Sequence, residues 1–339
     1  MVEVAIKVYS TRQKISACCQ QDSPASHETP KLGCSVGIMA YNEEANIAHT
    51  LAAVQAQQQL SFRIDEIVVV ASGCTDQTVP IVAALARDDA RIHLYTQARR
   101  EGKASAINLF LQHASSEILI LLSADVIPES MAFEHLCATF KHPHIGMSGG
   151  RPVPINNKDT FMGHTVHLLW HLHDRLARQE PKLGEAIAFR NVLATIPHKS
   201  AVDEISIQAL ISHLGYHLQY QPACIVYNKG PLTVQEFIQQ RKRIYAGHLQ
   251  VRATQNYAAS TMKICPIFRQ LLACRDLSMR TPQRLLWTLG AILLESYARL
   301  QGYYDYRRHK DYHIWPMIDS TKNLHTNIET LQYTPQAKG

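Results

Sequence analysis

The sequence predicts an α/β fold: a mostly parallel central sheet with helices on both faces, continued by a helical C-terminal extension. Three observations carry that prediction. Strand and helix signals alternate from Cys34 to about residue 128. The strand runs EIVVVA and EILILL are near-continuous in Ile, Val and Leu, the composition of strands buried on both faces. The helical stretches between them are long enough to return the chain to a parallel neighbour, which places function at the loops that follow the strands.

The elements follow in order. SVGIM is the first strand, followed by a helix over about 44–56, then EIVVVA, a helix over 76–87, RIHLY, a helix over 103–114 and EILILL. After a helix over 129–140 the alternation weakens. RPVPIN reads as a Pro-bounded loop, 160–179 as a His-rich helix, GEAIAFR as a strand, 204–214 as a helix, HLQYQPACIVYN as extended and 234–250 as a helix, with mostly helical sequence to about residue 304. Residues 1–33 are polar and read as a flexible N-terminal extension, 34–250 as the α/β domain and 251–339 as a basic helical extension. Near 283–300, Leu285, Leu286, Leu289, Ile292, Leu293, Ser296, Tyr297 and Leu300 share one helix face, interrupted by Glu295 and Arg299. That run is too short and too charged to span a bilayer; it is expected to dock onto the α/β domain, with a membrane interface as its other use.

With 339 residues and 46% hydrophobic content, the chain can bury one large core. Its eight cysteines form no CxxC pair, which argues against a zinc ribbon or a secreted disulfide framework and for a reduced, cytoplasmic protein. The N-terminus lacks the apolar core of a cleaved signal peptide. Net charge is +6, and the ten basic and five acidic residues between 263 and 322 place +5 of it there. A basic, Tyr-rich tail with Trp315 suits the cytoplasmic membrane surface, as a peripheral contact, or is simply a solvated helical face. No nucleic-acid partner is expected.

The chemistry-bearing residues cluster at strand ends. EILILL runs into Ser123-Ala124-Asp125, one carboxylate emerging where an open sheet presents acids to its crevice. The first strand ends in Met39-Ala40-Tyr41-Asn42-Glu43-Glu44: Tyr41 can cover a base and Glu43 can accept a ribose hydroxyl, while the plainer reading makes Asn42 a helix cap and the acids partners of the helix dipole. Ala71-Ser72-Gly73-Cys74-Thr75-Asp76 is a tight turn opening a helix, and in Arg99-Arg100-Glu101-Gly102-Lys103 a lysine stands where it can meet a diphosphate, although no Walker pattern is present.

Taken in this order, the segments resemble those of the family 2 glycosyltransferases, over roughly residues 35–248. Members have the GT-A fold and read P-x-Y-N-E at the first strand, D-D-G-S-x-D at the second, then a G-K segment, then D-x-D. Here Met39 takes the Pro slot, Ala71 replaces the Asp that often reads uracil, and Ser123 replaces the first metal-side Asp. Val202-Asp203-Glu204-Ile205 matches the family's acidic pair, which puts Glu204 in the slot of the acceptor base with Asp203 beside it; two such acids sharing a dry cleft should titrate apart. The plainer reading of that pair is a favourable helix N-terminus. Gln239-Gln240-Arg241-Lys242-Arg243-Ile244 matches Q-x-x-R-W with Ile244 in the Trp slot that processive members use, which leans towards a single, non-processive transfer.

The resemblance implies an inverting enzyme that moves a sugar from a nucleotide diphospho-sugar donor to an acceptor hydroxyl. The donor and acceptor would be contacted by Met39, Ala40, Tyr41, Asn42, Glu43, Ser72, Lys103, Ser123, Ala124, Gln240, Arg241 and Arg243. Mg2+ or Mn2+ would be held by Asp125, acting as Lewis acid and template, and a late histidine, His248, could supply a second ligand where Ser123 has no carboxylate. His164, His167, His171 and His173 crowd one helix at spacings that suit either zinc or packing. The losses at 71 and 123 motivate the alternative, a non-catalytic GT-A-like module that binds a nucleotide or a protein.

Overall fold

The computed structural model describes residues 31–273, 281–314 and 319–322; residues 1–30 of the N-terminal extension, Trp315 and the tail beyond 322 lie outside the described residues. Eight strands, β1 (Leu32–Ala40), β2 (Phe62–Ser72), β3 (Ile92–Gln97), β4 (Ile118–Ser123), β5 (Ile127–Pro128), β6 (Ile145–Pro154), β7 (Ala186–Arg190) and β8 (His217–Asn228), form one sheet in the order β3-β2-β1-β4-β7-β6-β8-β5. β3, β2, β1 and β4 are parallel, as are β6 and β8, while β7 runs against both of its neighbours and β5 against β8. The helices are α1 (Ile47–Gln55), α2 (Thr78–Asp88), α3 (Lys103–His113), α4 (Ala132–Cys137), α5 (Phe161–Ala177), α6 (Asp203–His213), α7 (Val234–Gln255), α8 (Ile264–Ala273) and α9 (Pro282–Arg307).

Alternation along the strands explains why both sheet faces are covered. Val36, Ile38, Ile67, Val69, Ile118 and Ile120 point to the face packed by Ile47 and Leu51 of α1 and Phe133 of α4. Val68, Val70, Leu119 and Leu121, the intervening residues, meet Ile107 and Phe110 of α3 and Ile207 of α6 on the other face. Each continuous apolar run therefore serves two cores.

RPVPIN is not a loop. Residues 151–154 belong to β6 and pair in register with 225–228 of β8. β7 reaches only Met147 to Gly149 of β6, so past that point the strand has one sheet neighbour and can carry prolines that donate no hydrogen bond.

The C-terminal helices also differ from expectation. α7, opened by a Thr233/Glu236 capping box, runs through residue 250 without a break. α9 docks along α7 and against α5, but through its small residues Thr288, Ala291, Ala298 and Gly302, and not through the leucine stripe. A Cβ at Gly302 would stand 2.5 Å from the Lys242 carbonyl oxygen, so only glycine permits this approach of the two backbones. Leu286 and Leu293 remain 68% and 71% exposed.

Phe110 lies fully buried under the sheet, and Gly37 of β1 makes room for it, since a Cβ there would come within 2.8 Å of the ring. Phe110→Ala is expected to cost about 3–5 kcal/mol. Urea denaturation would check this as a lower midpoint with an unchanged slope.

Candidate functional site

The parallel strands bring their carboxyl ends to one edge, and the registers determine who meets there. Met39 lies opposite both Val70 and Ser123, and Ala40 opposite Ala71. The antiparallel register of Leu122 with Ala186 then sets the residues just after β4 beside those just before β7, so that Asp125 faces Glu185. At this edge a cavity of about 910 Å³ opens, and among its walls stand Glu43, Lys103, Asp125, Glu185, Asp203 and Glu204.

The loops after β1 and β2 hold each other in place. Asn42 adopts φ 50°, a left-handed conformation that asparagine tolerates, and its side chain accepts from Thr75 N at 2.8 Å and donates to Thr75 Oγ1 at 3.2 Å. Glu43 N donates to Thr78 Oγ1 at 2.7 Å and Glu44 N to Asp76 Oδ2 at 3.0 Å. Gly73, at φ 66°, lets this turn touch the next loop, where a Cβ would meet Arg100 N at 2.3 Å. Ser72 Oγ accepts from Glu101 N at 3.3 Å. The Arg100 guanidinium covers the Tyr41 ring, 3.9 Å from its centroid.

Lys103, the first residue of α3, links the two halves of the site: its Nζ donates to Ser123 Oγ at 3.0 Å and to Glu204 Oε1 at 2.5 Å. Burial works against its ammonium, but the charges of Glu204 and Asp203 outweigh it and raise its pKa. Burial likewise pushes the Glu204 carboxyl up, yet Lys103 overrides that and holds it at about 2. Asp203 goes the other way. Burial and the charge of Glu204 push it up to about 7, and its Oδ1 is buried without a hydrogen-bond partner. Glu185 and Glu43 are also raised to about 7, each by burial and then by the charge of Asp125. Glu43 is countered by Lys322, which donates to its carboxylate and to the carbonyls of Tyr41 at 2.8 Å and Asn42 at 3.2 Å.

The basic segment of α7 is divided between two tasks. Arg243 faces the acids: burial lowers it to about 10 against the opposing charges of Asp203, Glu204 and Glu185. Arg241 instead forms a bidentate pair with Glu295 of α9, at 2.8 and 2.7 Å, and Glu295 also accepts from Arg299 at 2.8 Å. Arg241 is thus a strut between α7 and α9. Gln240 lines the cavity.

Of the residues expected at the site, only Asn42 and Ala124 are absent from the cavity wall. Asn42 is taken up by Thr75, and Ala124 is a core residue whose carbonyl accepts from Thr50 Oγ1 at 2.8 Å. His248 does line the cavity, but burial and the charges of Lys182, Arg241 and Arg299 keep its imidazole well below the usual range, and a divalent cation would be repelled by the same three groups. Among the described residues, no three His, Cys, Asp or Glu side chains gather closely enough to hold an ion, so an ion here would rest on one or two protein ligands. What remains fits an ion nonetheless. Asp125 is an oxygen donor whose charge raises the proton affinity of both Glu43 and Glu185, and Mg2+ or Mn2+ bound to a diphosphate needs only one or two protein carboxylates. On the His-rich helix His164 meets Thr288 Oγ1 at 3.0 Å and His167 the Asn156 carbonyl at 2.9 Å, while His173 lies on the cavity wall.

Sequence reasoning missed Glu185 and Lys182, and gave Lys322, in a Ser320-Thr321-Lys322 segment similar to C-terminal extensions of some bacterial family members, no role at the site. Glu185 had one usable signal, an acid directly before a buried strand, and it sits at φ 64°, a conformation seldom kept by a non-glycine residue without a reason. Nothing local marks Lys182.

A family model described as Glycosyl transferase family 2 matches residues 35–205. The chain is 25% identical over 249 residues to the poly-beta-1,6-N-acetyl-D-glucosamine synthase of Staphylococcus aureus strain COL, covering 70% of this chain and 59% of that protein. It is 24% identical over 232 residues to the synthase of the same name from Staphylococcus epidermidis, covering 65% and 55%. The chain thus spans less than two thirds of the length of these relatives. Among solved structures, the mannosyltransferase PcManGT from Pyrobaculum calidifontis, in complex with GDP-Man and Mn2+, is similar at 24% identity with a TM-score of 0.52, covering 88% of both chains.

Glu43, Glu185 and Asp203 hold protons more tightly in this site than an unfolded chain would, so their ionisation opposes folding, and the penalty grows as pH rises through about 7. The buried imidazoles of His173 and His248 act in the opposite sense below about pH 6.5, which sets the lower limit of the useful range. Between about pH 6.5 and 8.5 the thermal midpoint is expected to fall, and Glu185→Gln is expected to flatten that fall and raise the midpoint at the alkaline end. A Gln variant less stable than wild type at alkaline pH would overturn this picture of crowded acids.

Proposed function

The chain belongs to glycosyl transferase family 2, and on that premise we propose that it moves a sugar from a nucleotide diphospho-sugar to an acceptor hydroxyl with inversion at the anomeric carbon. One observation carries the reading: Lys103 bridges Ser123, at the end of the nucleotide half, and Glu204, at the head of the acceptor half, inside the cavity that also holds Asp125. The names of the staphylococcal relatives support a polysaccharide or other glycoconjugate as product. Ile244, where processive members carry Trp, supports a single transfer.

In this reading the nucleoside lies by Tyr41 and Glu43, and the diphosphate reaches Lys103 and Asp125. A divalent ion held by Asp125 would supply Lewis-acid neutralisation of the leaving diphosphate. The acceptor hydroxyl attacks from the opposite face and Glu204 takes its proton. Without donor, Glu204 is a weak base because Lys103 holds its pKa at about 2. When the diphosphate draws the lysine towards itself, the carboxylate loses that cation and its basicity rises where the acceptor needs it. Asp203, pushed up to about 7 beside it, and Arg243 keep the charge at the head of α6 balanced.

Thermal shifts with UDP-, GDP-, ADP- and CMP-sugars, with and without Mn2+, would identify the donor, since a ligand of the folded state raises the midpoint. Glu204→Gln is expected to keep donor binding and lose transfer by about 10²–10⁴-fold. Asp125→Asn is expected to lose the increment that the metal adds. Full activity in both variants would sink the assignment, and metal-independent donor binding with no product from acceptor extracts would favour the binding-module alternative.

A further inference from the structure

The cavity does not end at the carboxylates. It continues between α5, α7, α8 and α9, where its wall turns from charged to hydrocarbon with Leu168, Leu169, Leu172, Leu271 and Ile292. Phe268, Ile292 and Leu300 line it and are also exposed to solvent, so this apolar arm is open to the outside. Its mouth adjoins the outer face of α9, where Leu286, Leu289, Leu293 and Tyr297 are half or more exposed. Contiguous exposed apolar surface on a folded protein marks a contact. Basic residues stand exposed at the C-terminal end of that face, Arg307 and Arg308 at the close of α9, as suits a helix lying on an anionic lipid surface. Among the described residues, no helix is long and apolar enough to cross a membrane.

Resting on the glycosyl-transfer reading, we propose that the acceptor is an amphipathic lipid: its hydroxyl is presented to Glu204 and its alkyl chain lies in the arm between α5, α8 and α9, entering from a membrane surface that the α9 stripe touches. A free sugar would leave these hydrocarbon walls in water and gain nothing from them. An alkyl chain gains about 0.8 kcal/mol, or about fourfold in affinity, for each methylene fully buried.

The probes are methyl, hexyl and octyl β-D-glucoside, each below its micellar concentration, titrated calorimetrically into the full chain. Affinity is expected to climb steeply from methyl to octyl. Ile292→Trp, which fills the arm, and Leu169→Glu, which puts a charge in its wall, should each flatten the series, with circular dichroism showing that at least one of them folds. Leu293→Glu, on the outer face alone, should leave the series in solution unchanged while reducing co-sedimentation with phosphatidylglycerol vesicles. A flat series in the wild type overturns the proposal, and so does a series that survives both arm variants or is abolished by Leu293→Glu. Donor-induced thermal shifts are read separately: if they persist while the alkyl series is flat, glycosyl transfer stands and only the lipid acceptor falls.

Discussion

The ammonium of Lys103 is the constraint around which the site is arranged. It joins the end of β4 to the head of α6, and its pair with Glu204 spans 101 positions of the chain. A lysine at the foot of a sheet crevice pays heavily in lost hydration, and only partners of opposite charge recover that cost. Here the chief partner is Glu204, the proposed acceptor base, so the group that keeps the lysine charged is the group whose basicity the lysine suppresses. The same electrostatic pair therefore stabilises the resting site and restrains its chemistry. Around it the remaining acids are left in excess, and their raised proton affinities describe a site that is completed by cationic charge arriving with a ligand.

The C-terminal segments belong to this arrangement. Glu295 of α9 takes both Arg241 and Arg299, which removes one cation of α7 from the acidic cluster and leaves Arg243 to face the acids. A short turn, Asp319–Thr321, is tied to the cap of α7 by Ser320, whose Oγ donates to Glu236 at 2.7 Å, and this tie delivers Lys322 to Glu43. The Glu43 end of the cavity is thus closed by the last described residue of the chain. Close packing of α9 on α7 through Ala298 and Gly302 is what lets the leucine stripe stay outside.

The parts legible in the sequence were those governed by local periodicity and by strand ends. The apolar runs gave β1, β2 and β4 because a strand buried on both faces needs a continuous run, and the acids and turns that followed them had to lie at the crevice. What stayed hidden depends on pairing. Glu185 is placed by an antiparallel register between β4 and β7, which no short-range pattern encodes. RPVP could be a strand only because β7 stops short of it. The direction in which α9 docks was misread for a related reason. A stripe of large apolar residues states what a helix can bury, whereas the small residues opposite decide how near two backbones can come, and that closeness won here.

Ser123 gains its meaning from the same pair of charges. In a D-x-D motif an aspartate stands at this position and would compete with Glu204 for Lys103, drawing the cation towards the nucleotide end before any donor arrived. A serine hydroxyl accepts the lysine's hydrogen bond at 3.0 Å without adding charge, so the ammonium stays shared and Glu204 stays ionised. It also spares the crevice one more carboxylate beside Asp125, whose charge already raises the cost of ionising Glu43 and Glu185. In the proposed reading the substitution would shift part of the burden of neutralising a diphosphate from a metal to side-chain cations, Lys103 at Ser123 and Lys322 at Glu43.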